Sequence, residues 1–327
     1  MLAWLRLFRA SGLLTVWADA LAACIAAFYA AGVFDPLPFA QRLLQGGLQP
    51  LWIVAASSLL YAAGMIWNDI ADVERDRQLH PQRPLPSGRI RLATACAVGA
   101  LVAVGALVCA AQVEHGFRLA GAVLCLAFLY NFATKDVPWL GSLTLAAVRV
   151  VHALLALLIL GSDFLRMALI APAGGWIVPP FAILLGIWVL GLAAVAELES
   201  RSARRWELLA GGGLMAVALL LALAQVVTAP WLGQLWRGGG GGPVAVLLSV
   251  VLAVAIAIGL GWTVARPWVA AIRSGHRGDI PAITGAALGG IILLDALVTC
   301  SFQPLFALPI LLLYALFAAT GRIARMG

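Results

Sequence analysis

Apolar residues run along this chain in long unbroken stretches rather than in alternation with polar ones. Stretches of near-spanning length fall at about 12–33, 48–68, 91–112, 117–134, 141–161, 177–196, 207–229, 244–265, 281–300 and 304–320. A helix needs roughly 20 mainly apolar residues to cross a bilayer. Lipid offers no partner to backbone N–H and C=O groups, so only helices and closed barrels span it, and barrel strands would alternate. The pattern therefore predicts an all-α polytopic membrane bundle with ten candidate spans, in a single unit over residues 1–327 with no separate soluble domain. The fourth and last runs are short, which predicts tilted, half-spanning or re-entrant segments there. The first run, from Leu13 to Val33, is too long for a secretory h-region and predicts a retained span.

Composition agrees with lipid as the main solvent. The chain is 63% hydrophobic and 11% charged, with a mean hydropathy of +1.02, whereas soluble domains carry roughly 25% charged residues. The net charge of +7 does not point to nucleic acid, because the basic residues sit in short loops between apolar runs. They read instead as topology signals. With the N-terminus inside, sixteen of the 21 Lys and Arg residues fall on inside segments. Arg42, Arg118, Arg166 and Arg237 fall outside, and Arg149 lies within a span. That bias predicts a multi-pass protein of a bacterial-type inner or plasma membrane. The N-terminus and the two charged loops, 69–90 and 197–206, are then cytoplasmic. The run Gly238 to Gly242 reads as a flexible linker. Cys24, Cys96, Cys109, Cys125 and Cys300 all lie in apolar runs without metal-ligand spacing and read as small buried hydrophobes.

The first charged loop carries the candidate chemistry. It begins Asn68-Asp-Ile-Ala-Asp72-Val-Glu-Arg-Asp76 and continues to Gly88. Asn68, Asp72 and Asp76 are spaced four and four, so a helix continuing past the membrane surface would project them from one face. Asp69 lies near the same edge and Glu74 on the other side. A stripe of oxygen donors repels itself unless cations neutralise it, and Mg²⁺ commonly bridges one or two carboxylates to substrate phosphates. The spacing thus predicts a diphosphate held through Mg²⁺. Three prolines from Pro81 to Pro86 stop the helix and fix an extended path that brings Arg83 back toward the carboxylates. Arginine suits phosphate contact. A solvated loop with local ion pairs is the plainer alternative.

The stretch from Asn68 to Gly88 resembles the first signature of the UbiA superfamily of intramembrane prenyltransferases, NDxxDxxxD followed by RPxRPLPSG. His80 stands where that family usually has Arg. Tyr130-Asn-Phe-Ala-Thr-Lys135 is similar to the family's Tyr-Ser-x-x-x-Lys at the end of the fourth span. The resemblance implies an all-helical bundle, usually of nine spans, around a central cavity. It implies Mg²⁺-dependent transfer of a prenyl group from an isoprenyl diphosphate to an aromatic or lipid acceptor. Carried over, it implies metal binding by Asn68, Asp69, Asp72 and Asp76. Asn68, Arg83, Lys135 and Arg149 would contact the diphosphate, and Asp72, Asp76, Lys135 and Glu197 would serve catalysis.

Two departures stand out. The family's second Asp-rich motif is replaced by Glu197-Leu-Glu199, followed by Arg201, Arg204 and Arg205, and Gly12 stands where the family has an Asn three residues after Arg9. With the stretches at 15–23 and 293–296, these features resemble the divergent EboC-like branch. The alternative function is a non-catalytic relative that binds or moves a prenyl lipid or another small molecule. Finally, Asp19, Arg149, His152 and Asp295 lie within spans, where charge is costly and is expected to face the interior in pairs. Arg149 is expected to meet Asp19, Asp295 or a bound diphosphate.

Overall fold

In the computed structural model, residues 10–30, 41, 47–158, 178–199, 205–227, 243–274, 277–302 and 304–326 are described. The expectations for the Gly238–Gly242 linker and for Arg9, Arg42, Arg166, Arg201, Arg204 and Arg237 lie outside them.

Among the described residues, the ten apolar runs become ten helices, with one short helix besides. They are α1 Ala10–Ala30, α2 Gln49–Ala71, α3 Val73–Leu79, α4 Leu92–Ala110, α5 Gly116–Leu129 and α6 Leu140–Leu157. Then come α7 Val178–Ala196, α8 Arg205–Val227, α9 Pro243–Ser274, α10 Ile280–Cys300 and α11 Ala307–Met326. Proline sits in the first turn of α2 and of α10, where its missing N–H has no intrahelical partner to lose. Among the described residues, eight of the helical segments are long and apolar enough to cross a membrane. The fourth run is one of these, as Gly116–Thr134, because a π turn at Tyr130–Thr134 extends α5. Among the described residues the last run is a shorter apolar segment, Pro304–Thr320, as expected, and the described part of the first run covers Gly12–Ala27.

Helices α7 and α10 form the centre, largely enclosed by their neighbours, whereas α2, α4, α5, α8 and α9 turn much of their surface outward to lipid. α10 packs on α1, α7, α8, α9 and α11, and α6 packs between α1, α5 and α7. Trp188 of α7 is 1% exposed. Its indole N–H donates to the Ala287 carbonyl at 3.0 Å, and its ring lies over Gly290. Without a hydrophobic force between helices in lipid, close backbone approach carries much of the association. The α7–α8 contact shows it. A Cβ on Gly191 would stand 2.5 Å from the Gly211 carbonyl oxygen, and backbone does not yield as a side chain does. Gly191→Leu is therefore expected to lower stability by about 1–3 kcal/mol. Gly213→Leu, with open space around it, is expected to be near neutral. Thermal unfolding in detergent separates the two.

None of the five cysteines forms a disulfide. Cys24 and Cys300 are buried as expected, but Cys125 faces outward on α5, where a lipid-facing position accepts a small apolar side chain as readily as the core does.

Candidate functional site

Asp72 occupies the one-residue break between α2 and α3, with φ −90° and ψ 1°. This is the sparsely populated bridge region in which many active-site residues sit. The hydrogen-bond ladder still passes through it. The Asp72 N–H donates to the Asn68 carbonyl at 3.0 Å, and the Asp76 N–H to the Asp72 carbonyl at 2.8 Å. The expected helical continuation is present, with Asn68, Asp72 and Asp76 one turn apart, and Glu74 exposed and paired with Arg77.

Beyond Leu79 the chain turns back through a series of tight turns, with Arg83 N–H on His80 O, Ser87 N–H on Arg83 O and Ile90 N–H on Pro84 O. Leu85 and Ile90 pack with Ile66, Val73 and Ala95 in a small apolar cluster of their own. That cluster anchors the loop and carries Arg83 to Asp76. Its Nη1 donates to both carboxylate oxygens, at 2.9 and 2.7 Å. Asp76 is 4% exposed.

Lys135 arrives from the other side. The π turn inserts a residue ahead of it, and its N–H donates to the Tyr130 carbonyl five residues back at 3.0 Å. Isolated π turns inside α-helices are frequent at functional sites. Thr134 Oγ1 meets Thr144 Oγ1 of α6 at 3.1 Å. The Lys135 ammonium donates to Asp72 Oδ1 at 2.5 Å, with both side chains largely buried. Asn131 reaches the Gly64 carbonyl of α2 at 3.4 Å. Four of the expected residues, Asp72, Asp76, Arg83 and Lys135, are thus brought together as two ion pairs one helical turn apart, with Asn68 a turn before them.

Three expectations differ from what is found. Asp69 is buried, where a ligand of a shared metal was expected. Among the described residues, no three His, Cys, Asp or Glu side chains gather in metal-binding geometry. The backbone break at Asp72 and the separate cation on each carboxylate keep the acids apart. Arg149 is nine residues into α6, deep in the bundle, where Asp19 and Thr15 engage its guanidinium rather than a diphosphate. Glu197 turns its carboxylate to the start of α6 rather than to the diphosphate site. Its carboxylate accepts from the Ser142 N–H at 3.2 Å, the Ser142 hydroxyl at 2.5 Å and the Trp139 N–H at 3.4 Å. An acid there satisfies otherwise orphaned donors of the first turn of α6 and complements its dipole.

That cap holds a strained corner. Trp139 has φ +66°, uncommon for a residue with a bulky side chain, and its ring stacks on Trp206 of α8 at 6.3 Å. The next turn packs tightly on Lys135, since a Cβ on Gly141 would stand 2.9 Å from the Lys135 Cα. Glu197 therefore reaches the first site indirectly, through this corner. Glu197→Ala is expected to cost about 1–2 kcal/mol, as for other lost caps, while Glu197→Gln keeps acceptor geometry and loses less. Thermal melts of the two variants measure the difference.

The oxygen donors fit a metal shared with a ligand rather than a metal caged by protein alone. Asn68, Asp72 and Asp76 offer hard oxygens at successive turns, and the positions now taken by two basic side chains are ones a divalent cation would favour for the same charge reason. An aromatic group, Trp67, Phe128 and Phe132, borders this end of α2, with ring centroids 4.9 to 6.3 Å apart. It was not picked out from the sequence, where aromatic residues in apolar runs look like any span.

The family model for UbiA prenyltransferases matches residues 20–267. A digeranylgeranylglyceryl phosphate synthase of Methanoculleus marisnigri is 35% identical over 105 residues, which make up 31% of this chain and 37% of that protein. The match thus spans little more than a third of that relative's length. Two solved structures share the fold. One, of a digeranylgeranylglyceryl phosphate synthase, has a TM-score of 0.54 at 16% identity and covers 92% of this chain and 98% of its own. The other, an apo UbiA homolog from Aeropyrum pernix K1, has a TM-score of 0.51 at 21% identity and covers 85% and 96%.

Proposed function

The chain belongs to the UbiA prenyltransferase family, and from that premise we propose that it transfers a prenyl group from an isoprenyl diphosphate to a lipid or aromatic acceptor within the membrane. One observation carries the reading: two carboxylates one turn apart, each neutralised by its own basic side chain, at the end of a membrane helix.

The chemistry follows from charge. The allylic C–O bond breaks, the electron pair leaves with the diphosphate, and the acceptor's nucleophilic atom bonds to the allylic carbon and gives up a proton. Negative charge builds on the departing oxygen, so fixed cations lower the barrier. Asn68, Asp72 and Asp76 would hold a Mg²⁺ ion, which would supply Lewis-acid stabilisation of that charge. Lys135 and Arg83 hold diphosphate oxygens with their positive charges. Asp69, buried beside the stripe, supports the orientation of Asn68 and Asp72. Glu197 acts by holding the corner against Lys135.

We read the chain as one unit, with the N-terminus and both charged loops on the cytoplasmic side, on the strength of the distribution of Lys and Arg. The replaced second motif supports a reading of the chain as a relative of the EboC-like branch. A second reading, binding or moving a prenyl lipid without transfer, is favoured by the same replacement, because Glu197 is engaged as a cap.

The experiment is direct. Purified protein in detergent or nanodiscs is given radiolabelled prenyl diphosphates of several chain lengths with Mg²⁺ and candidate acceptors. Metal-dependent release of diphosphate that stops on chelation supports transfer. Retention of the diphosphate ester without release supports the carrier.

A further inference from the structure

The outward face of α9 changes character along its length. Val251, Ile258, Trp262, Arg266, Val269 and Arg273 are all exposed. At about 100° per residue they fall within roughly 80° of arc, on one face of the helix. The stripe is apolar through Ile258. Trp262, 68% exposed, comes next, and the two arginines follow. On another face of the helix Trp268 is buried over Gly212 of α8. That contact fixes the rotation of α9 and turns Arg266 and Arg273 away from the bundle.

Length places the arginines at headgroup depth. α9 has 32 residues, about 48 Å at 1.5 Å per residue, against roughly 30 Å for the hydrocarbon core. The roughly 20 residues that cross the core, counted from Pro243, end at Trp262. Tryptophan is enriched at that boundary. Arg266 then lies about 6 Å past it and Arg273 about 10 Å further. Helical side chains lean toward the helix N-terminus, so Arg273 reaches back toward Arg266 and the boundary. This is the end of the bundle that holds the diphosphate site. Arg277–Asp279, just after α9, packs on Glu197–Glu199, whose first residue caps α6.

The protein supplies these two cations with no counterion. Among the described residues neither Arg266 nor Arg273 makes an ion pair. α9 contains no Asp or Glu. Glu207, in the first turn of α8, is buried, and Asp279 accepts from the Ser274 hydroxyl. A topology signal needs only a basic residue in a loop. Here two arginines share a helix face two turns apart, in line with an apolar stripe that meets lipid.

We propose that this face of α9 binds an anionic glycerophospholipid. Its phosphate sits between Arg266 and Arg273, and its acyl chains lie along Trp262 and Ile258. The guanidinium fork matches phosphate oxygens, and basic side chains beside the membrane surface attract anionic lipid. The unbroken run from apolar residues through tryptophan to arginine fits a molecule built in the same order, from chain to glycerol to phosphate. An acidic soluble protein would match the arginines alone. The site is independent of the prenyl-transfer reading.

Lipid titration of the full-length protein in detergent tests it, with native mass spectrometry counting retained lipid. The probes are phosphatidylglycerol and phosphatidylcholine with identical acyl chains. The parent is expected to retain phosphatidylglycerol in preference. Each arginine near an anionic headgroup is worth about fivefold in affinity, so Arg266→Gln/Arg273→Gln should weaken phosphatidylglycerol binding by about 30-fold and leave phosphatidylcholine unchanged. Arg89→Gln/Arg91→Gln removes two exposed charges off this stripe and should stay within about twofold of the parent. Arg266→Lys/Arg273→Lys keeps the charges and should keep a preference for phosphatidylglycerol. Equal retention of the two lipids by the parent or by the lysine pair would overturn the proposal. So would parental phosphatidylglycerol binding in the glutamine pair, or an equal loss in the Arg89 and Arg91 control.

Discussion

Asp72→Asn is expected to lower prenyl diphosphate turnover by about 10²–10³-fold, the range seen when one charge-stabilising group is removed from an active site. The substitution keeps size and shape and removes the charge that meets Lys135 at 2.5 Å. It takes one hard anionic ligand from the metal position and leaves a largely buried ammonium without its partner. The fold itself is held elsewhere, by the enclosed helices α7 and α10 and by the apolar cluster under the Arg83 loop. Turnover and stability should therefore part company, with diphosphate release falling steeply and the melting temperature moving little. Release assays run alongside thermal melts read both. A variant with full turnover would remove Asp72 from the chemistry.

Arg149→Met is expected to do the reverse, damaging stability first. It leaves the buried Asp19 without the cation that balances it, and breaking a buried pair from one side costs about 3–5 kcal/mol. Thr15 loses its donor in the same step. The double variant Arg149→Met/Asp19→Asn should recover part of the loss, because the stranded charge goes with its partner. Chemical or thermal unfolding in detergent measures the coupling between the two positions.

The order of helices was legible because lipid leaves the backbone one solution, and each of the ten apolar runs became a helix, most within a few residues of the expected limits, with α9 running nine residues beyond and α11 six. The return of Arg83 was legible for a similar reason. Three prolines in six residues exclude a helix, and the small apolar cluster gives the resulting path a place to rest. Spacing also foretold the pairing of Arg149, since an intramembrane cation needs an anion and few were on offer. Other features depended on partners far apart in sequence. Nothing around Glu197 announces that it caps a helix beginning 57 residues earlier at Leu140. Trp139, with its left-handed backbone, is an ordinary residue after proline until the carboxylate and Trp206 are placed around it.

The π turn at Tyr130–Thr134 bears on how relatives of this chain are compared. One extra residue in a helical turn rotates everything after it by about 100° relative to a regular α-helix. Lys135 faces Asp72 because of that rotation. In a homologue lacking the inserted residue, a lysine at the aligned column would point to another quadrant, and its carboxylate would meet no cation. Alignment gaps within this five-residue segment thus carry more weight for function than the identity of the lysine column alone.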